Sequence, residues 1–160
     1  MTAIIIFAVL AIVLYIGAFW SKRRFGLLGL ALTAGATLSS IWGYDAGLVV
    51  SSTGIVPNGP LTNAVALSLV VLLPAVVLLF HGYTYKTMLP RVIGSLLFTM
   101  LAITFLIEPL GFILPTDGIG GDVYDWLTGW KDLIVSLGVV CAVIDLFFTK
   151  PAKKEKEKRR

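Results

Sequence analysis

The chain has 160 residues, of which 58% are hydrophobic and only 14% are charged, and its formal net charge is +4. A typical soluble domain carries about 25% charged residues, so this composition excludes an ordinary soluble enzyme and a disordered chain. The single cysteine excludes an intrachain disulfide scaffold. A mean hydropathy of +0.94 leaves a polytopic membrane protein.

Five apolar segments follow one another along the chain, each long enough or nearly long enough to cross a bilayer as a helix, which needs about 20 residues. They cover residues 3–20, 26–42, 64–80, 92–114 and 133–148. The segments are uniformly apolar rather than alternating, which favours helices over the strands of a barrel. We therefore predict an all-α, polytopic transmembrane bundle of five spans. It forms a single domain over residues 1–148, followed by a basic tail over 149–160.

Turn-forming residues separate these spans. Gly, Ser, Pro and Asn are frequent between residues 43 and 63, which predicts a long loop there. Before the fifth span, the segment GIGGDVYD at residues 118–125 predicts a turn. We expect Asp122 to cap a short helix that ends near Trp130 and lies in the outer membrane interface.

The basic residues predict the orientation of the bundle. With five spans, 12 of the 13 basic residues fall on one side of the membrane, and only Lys131 falls on the other. Basic loops face the cytoplasm, so we predict an N-terminus outside and a C-terminus in the cytoplasm. This pattern is typical of a multi-pass protein of the cell (inner or plasma) membrane.

The tail accounts for the net charge. It carries seven basic and two acidic residues, and therefore five net positive charges, which leaves −1 for the other residues. The charge is thus no indication of nucleic-acid binding. Basic segments beside a membrane attract anionic lipid, so we expect the tail's basic side chains to contact headgroups. These side chains are Lys150, Lys153, Lys154, Lys156, Lys158, Arg159 and Arg160.

Small residues recur at every fourth position of the second span. They are Ala31, Gly35, Ser39 and Gly43. On a helix this spacing forms one stripe, and small residues allow close helix packing in lipid. The stripe predicts either a homo-oligomer interface or packing against another helix of the same chain. In both cases the second span is expected to be central.

Two carboxylates fall inside predicted spans, and an ionisable group in a membrane span is a candidate functional site by default. Glu108 precedes Pro109 in the fourth span. It suits proton or cation handling, or it lies near the outer end, reaches the headgroups and marks a kink. Asp145 lies near the inner end of the fifth span, where it either pairs with Lys150 or with the basic cluster of the first loop, or has a role in transport.

The sequence contains no catalytic, cofactor-binding or metal-binding motif. The only histidine is His81, and there is no CxxC, HExxH, P-loop or GxGxxG pattern. We therefore expect neither an enzyme nor a bound cofactor or metal.

Two stretches resemble the colicin V production (CvpA-type) family of small bacterial membrane proteins. One is the basic turn after the first span, with Gly17, Arg24, Gly26 and Gly29. The other is residues 89–106, which read LPRVIGSLLFTMLAITFL. The resemblance implies a four-span layout over about residues 3–112, and a role in bacteriocin export or envelope maintenance without known catalysis. The fifth span departs from that layout.

The sequence favours a non-enzymatic membrane protein that serves as an accessory or scaffold subunit, as a homo-oligomer or within a larger membrane complex. The small-residue stripe and the scarcity of polar groups in the spans support this hypothesis. The alternative is a small channel or ion-coupled transporter that uses Glu108. A remoter alternative is a holin-like protein, because such proteins are also small and apolar with charged tails.

Overall fold

The computed structural model describes residues 2–54, 59–113 and 119–148. Within these ranges the chain forms five α-helices and no strand, so the all-α prediction is confirmed. The helices are α1 (Thr2–Ser21), α2 (Phe25–Ser52), α3 (Pro60–Phe80), α4 (Met88–Gly111) and α5 (Ile119–Phe147).

Four of the described helices are long and apolar enough to cross a membrane. The qualifying stretches are Ile4–Ser21, Phe25–Ser52, Pro60–Phe80 and Met88–Gly111. The fifth helix has 29 residues and is thus about 43 Å long at 1.5 Å per residue. Lys131, Asp132 and Asp145 all fall in its last 18 residues, which lowers its apolar character.

The prediction of a loop over residues 43–63 is wrong at both ends, because α2 continues to Ser52 and α3 begins at Pro60. Glycine is a poor helix former, but here it allows α2 to stay close to α3. A Cβ atom on Gly47 would lie 3.2 Å from the side-chain oxygen of Asn63. Interhelix packing therefore maintains the helix through a segment whose composition is typical of a loop.

The expected break between a short outer helix and the fifth span is also absent. α5 is continuous from Ile119, and Asp122 lies in its first turn rather than before a separate helix. Asp122 is well placed there, because a carboxylate is favoured near the positive end of the helix dipole.

The most buried helix is α4, which packs against each of the other four helices. Ala102, Ile107 and Leu106 are at most 1% exposed. The second helix, which we expected to be central, packs against α3, α4 and α5. α1 lies at the margin of the bundle, and only 11% of its residues from Ile4 to Ser21 are buried.

The connection between α1 and α2 pairs with the connection between α3 and α4. The Arg24 amide donates to the Tyr83 carbonyl at 3.1 Å, and the Tyr85 amide donates to the Lys22 carbonyl at 2.8 Å. Lys22 adopts a left-handed conformation with φ of 57°, which completes the tight turn between the two helices. We call this end of the bundle, which also carries Arg91 of α4 and Asp145 of α5, the basic end.

Candidate functional site

A cavity of about 810 Å³ lies between α2, α3, α4 and α5, in the half of the bundle away from the basic end. We call it the outer cavity. Its walls combine hydroxyl groups from α2, charged side chains from α4 and α5, and aromatic rings. Because the chain has few polar residues, their concentration around one cavity marks it as the candidate site.

The hydroxyl groups come from successive turns of α2. Thr33, Thr37 and Ser40 line the cavity, and their spacing places them on one side of the helix. Each hydroxyl donates its proton to a backbone carbonyl one turn earlier: Thr33 to Gly29 at 3.0 Å, Thr37 to Thr33 at 3.0 Å, and Ser40 to Thr37 at 2.7 Å. The oxygen lone pairs that remain can only accept hydrogen bonds.

Glu108 lines the outer cavity and pairs with Lys131, whose ammonium group donates to Glu108 Oε1. The Glu108 side chain is 69% exposed and that of Lys131 is 24% exposed. Asp132, the neighbour of Lys131 on α5, also lines the cavity.

Glu108 lies in the last turn of α4, which ends at Gly111. Along the helix it is about 25 Å from Arg91 at the basic end, at 1.5 Å per residue, and this distance approaches the roughly 30 Å thickness of the hydrocarbon core. Glu108 therefore lies near the end of α4 that is away from the basic end, where it also lines the cavity.

Aromatic rings form the remaining part of the cavity wall. Phe105 and Phe112 come from α4 and its C-terminus, and Tyr124 comes from α5. A Cβ atom on Gly111 would lie 2.6 Å from the Tyr124 hydroxyl. Glycine at this position therefore allows the tyrosine ring to approach the end of α4.

The small-residue stripe packs against α3 of the same chain. A Cβ atom on Gly35 would lie 2.1 Å from the Val71 carbonyl oxygen, and one on Gly43 would lie 2.6 Å from the Leu67 side chain. Ala31 is buried, and Ser39 lines the outer cavity. Of the two interpretations of the stripe, this geometry favours packing within the chain.

Asp145 joins three segments at the basic end. Its carboxylate lies 3.7 Å from the Arg24 guanidinium and accepts a hydrogen bond from the Gly26 amide at 2.9 Å. The Phe25 amide donates to the Tyr85 hydroxyl at 3.0 Å. Arg24 at the start of α2 supplies no side-chain cap, so α5 and the α3–α4 connection satisfy the first amides of α2.

Burial raises the pKa of Tyr85 to about 12, because a phenolate would lose its solvation there, and the nearby Asp145 carboxylate adds to the increase. Hydrogen bonding from the Phe25 amide and the charge of Arg24 act in the opposite direction but are weaker. Tyr85 is therefore a neutral hydroxyl at physiological pH, and it can accept a hydrogen bond from the Phe25 amide.

Two further arginines bind backbone carbonyls at the basic end, and sequence inspection did not identify these roles. Arg23 donates to the carbonyls of Leu79 at 3.0 Å and Phe80 at 2.6 Å, and also to that of Gly82. Arg91 donates to the Phe19 carbonyl at 2.6 Å. Both arginines cover helix C-termini, whose last carbonyls lack partners in their own helix. The proximity of basic residues to span ends is the only signal in the sequence.

A second cavity, of about 680 Å³, lies at the basic end and is lined in part by Arg24, Tyr85 and Asp145. Between the two cavities, α2 and α5 are in close contact. A Cβ atom on Gly26 would lie 2.4 Å from the Ala142 carbonyl oxygen, and one on Gly29 would lie 3.1 Å from the Ala142 side chain. The α2–α5 contact therefore separates the outer cavity from the cavity at the basic end.

The predicted headgroup contacts of the tail, from Lys150 to Arg160, lie outside the described residues. Cys141 is exposed on α5. Within the described ranges, no group of three or more His, Cys, Asp or Glu side chains is arranged to hold a metal ion.

Comparisons with protein-family models, with curated proteins and with solved structures gave no match to this chain. The fold and the two cavities therefore carry the functional argument by themselves.

Proposed function

We propose that the chain is a membrane protein with five spans, an N-terminus outside and a C-terminus in the cytoplasm, located in the cell (inner or plasma) membrane. Four long apolar helices support this arrangement. The length of α5 supports a fifth span, because about 43 Å exceeds the hydrocarbon thickness of about 30 Å. The clustering of Arg23, Arg24 and Arg91 at one end agrees with the positive-inside rule.

Within this membrane protein, the chain acts without enzymatic chemistry as a small channel or ion-coupled transporter that uses Glu108. The observation that supports this function best is the outer cavity, where two carboxylates, a lysine and four serine or threonine hydroxyls line one space in a chain with few polar residues. Ionisable groups in such positions commonly mark solute or ion pathways. The second cavity at the basic end lies beyond the α2–α5 contact, so separation of α2 from α5 would connect the two cavities.

Solute flux in proteoliposomes tests this function. Light scattering reports the volume changes of vesicles placed in gradients of potassium chloride, tetraethylammonium chloride or glycerol. We expect the wild-type chain to increase permeation of at least one of these solutes, and Glu108→Gln to reduce that rate about tenfold. Asp45→Asn is the matched control, because Asp45 is an exposed carboxylate of α2 that does not line the outer cavity.

Equal rates for the wild-type chain and Glu108→Gln would contradict the proposed function. A rate no higher than that of protein-free vesicles for every solute would contradict it as well. Size-exclusion profiles of both variants verify that the substitutions leave the protein folded.

The second candidate function is an accessory or scaffold subunit, in line with the envelope role that the CvpA-type resemblance implies. The observation that favours it is the exposed aliphatic face of α1, where Ile5, Val9 and Val13 are 54–61% exposed. Such a face suits lipid or a helix of a partner subunit. Native mass spectrometry of the chain from its own membrane tests this function. A strictly monomeric species with no co-purifying partner would count against it.

A further inference from the structure

The outer cavity carries excess negative charge. The charged side chains in its wall are Glu108, Asp132 and Lys131, so two carboxylates face one ammonium group. In a cavity with low-dielectric walls, such an imbalance raises the local concentration of cations. A solute that enters from the outer end is therefore selected first for positive charge.

The neutral polar groups of the wall favour the same kind of solute. The hydroxyls of Thr33, Thr37 and Ser40 have donated their protons to the backbone of α2. They present acceptor lone pairs to the cavity and no donor. Ser39, Tyr124 and Lys131 also line the cavity and carry donors, so the preference belongs to the part of the wall formed by Thr33, Thr37 and Ser40. There an ammonium N–H or a polarised N–CH₃ group finds acceptors, and an anion finds no hydroxyl donor.

The aromatic part of the wall adds a third preference. The rings of Phe105, Phe112 and Tyr124 line the cavity, and aromatic faces attract cations within about 6 Å. Cation–π attraction is typical of sites for quaternary ammonium ions. The volume, about 810 Å³, is far larger than a bare metal ion needs and falls within the range of about 300–1,000 Å³ that is typical for organic ligands.

Lys131 is already paired with Glu108, the carboxylate that such a solute would need as its counter-ion. Its ammonium group is bound to Glu108 and extends from α5 into the same cavity. Because an incoming ammonium ion and Lys131 would compete for one carboxylate, removal of Lys131 should strengthen binding. A merely structural ion pair would show the opposite effect or none.

We infer that the outer cavity binds an organic ammonium cation, with Glu108 as its counter-ion and Lys131 as the competing internal cation. This inference rests on the proposed function and names the chemical class of its solute. The same argument disfavours anions and neutral molecules of similar shape.

Calorimetric binding of tetraethylammonium to the full chain in dodecyl maltoside micelles, which contain no ammonium group, tests the inference. We expect binding of tetraethylammonium in preference to triethylcarbinol, a neutral molecule of similar shape, and to pivalate, an anion. Glu108→Gln should weaken tetraethylammonium binding about tenfold, because the cation loses a close contact with a carboxylate. Lys131→Met should strengthen binding about threefold, because the Glu108 carboxylate is no longer paired with Lys131. Asp45→Asn should leave the affinity unchanged.

Three outcomes would overturn the inference: no preference for tetraethylammonium over triethylcarbinol, equal affinity in Glu108→Gln and Asp45→Asn, or weaker binding in Lys131→Met. Lys131→Met is expected to fold, because the Glu108 side chain is 69% exposed and remains solvated without its partner. The flux assay separates this inference from the proposed function. Tetraethylammonium binding without any flux would contradict the transport function but not the ammonium site. Glu108-dependent flux of glycerol without tetraethylammonium binding would contradict the ammonium site but not the transport function.

Discussion

Two pairs of oppositely charged side chains connect different helices near their ends. Asp145 of α5 meets Arg24 at the start of α2, and Glu108 of α4 meets Lys131 of α5. Because a charge near the hydrocarbon region is costly without a partner or water, each pair fixes the axial position of one helix relative to another. The sequence singled out Glu108 and Asp145 and offered basic residues near the matching span ends as partners. Which of these residues pairs depends on helix register, which local patterns do not specify.

The Arg24–Asp145 pair is predicted to stabilise the basic end. In a double-mutant cycle with Arg24→Gln and Asp145→Asn, we expect a coupling free energy of about 1 kcal/mol, since the pair is partly buried and is not shielded completely by solvent. Reversible unfolding in mixed micelles with increasing dodecyl sulfate measures the four stabilities. Asp145→Asn should retain part of the Gly26 contact, because an amide oxygen also accepts a hydrogen bond. Strictly additive effects would contradict the pairing.

Tyr85 is predicted to make the stability of the protein sensitive to alkaline pH. Its pKa in the folded protein is about 12, above the ordinary value of 10.0, so folding favours the protonated phenol. The resulting stabilisation is fully present below pH 10 and is lost as the pH rises from 10 through 12. Tyrosinate absorbance should show a late-titrating group that disappears in Tyr85→Phe. An unchanged alkaline titration in that variant would contradict the prediction.

At the scale of the helices, hydropathy located each element but not its ends. Hydropathy indicates where side chains contact lipid, whereas α2 and α5 extend beyond the apolar segments. The span predicted over residues 26–42 corresponds to the longer helix Phe25–Ser52, and the span predicted over residues 133–148 corresponds to the longer helix Ile119–Phe147. Packing explains the first extension, since Gly43 and Gly47 lie close to side chains of α3. Such contacts between distant segments override the weak helix propensity of glycine.

Gly35 is predicted to be essential for the α2–α3 contact. In Gly35→Ala, the new Cβ would lie 2.1 Å from the Val71 carbonyl oxygen and 3.0 Å from the Val71 Cα. Backbone atoms cannot move aside as a flexible side chain can, so the two helices must separate. We expect a loss of about 1–3 kcal/mol, typical of overpacking, in the dodecyl sulfate unfolding assay.

Gly17→Ala is the matched control for that substitution. Gly17 also lies within a helix, but apart from its own chain neighbours and the adjacent backbone of α1, no atom lies within 4 Å of the position of its Cβ. Alanine is the better helix former by about 1 kcal/mol, so this variant should be as stable as the wild-type chain or slightly more stable. Equal stability of Gly35→Ala and Gly17→Ala would show that the α2–α3 contact tolerates a methyl group.

At the scale of the whole molecule, the positions of the basic residues along the chain predicted the arrangement of the helices better than the overall composition did. Arg23 and Arg24 are neighbours in the sequence and Arg91 lies far from them, but all three meet at one end of the bundle, as an up-and-down arrangement of five helices requires. The outer cavity could not be predicted in this way. It depends on the space left between α2 and α5 beyond the Gly26–Ala142 contact, and such a space follows from side-chain packing rather than from hydropathy.

Five spans place the two ends of the chain on opposite sides of the membrane, whereas a four-span layout with α5 on the outer surface places them on the same side. Single cysteines distinguish these arrangements in a Cys141→Ser background. Lys86→Cys reports on the α3–α4 connection, Asp122→Cys on the start of α5, and Lys156→Cys on the tail. We expect a membrane-impermeant maleimide to label Asp122→Cys in intact cells, and the other two variants only after permeabilisation.

The tail variant decides between the two layouts. If α5 crosses the membrane, Lys156→Cys shares the protected side with Lys86→Cys, as the positive-inside rule requires for a tail with seven basic residues. If α5 lies on the outer surface, Lys156→Cys is labelled in intact cells while Lys86→Cys remains protected. That result would contradict the fifth span. It would also leave Asp145 on the labelled side, where it could not pair with Arg24, because Arg24 lies at the same end of the bundle as the protected Lys86→Cys.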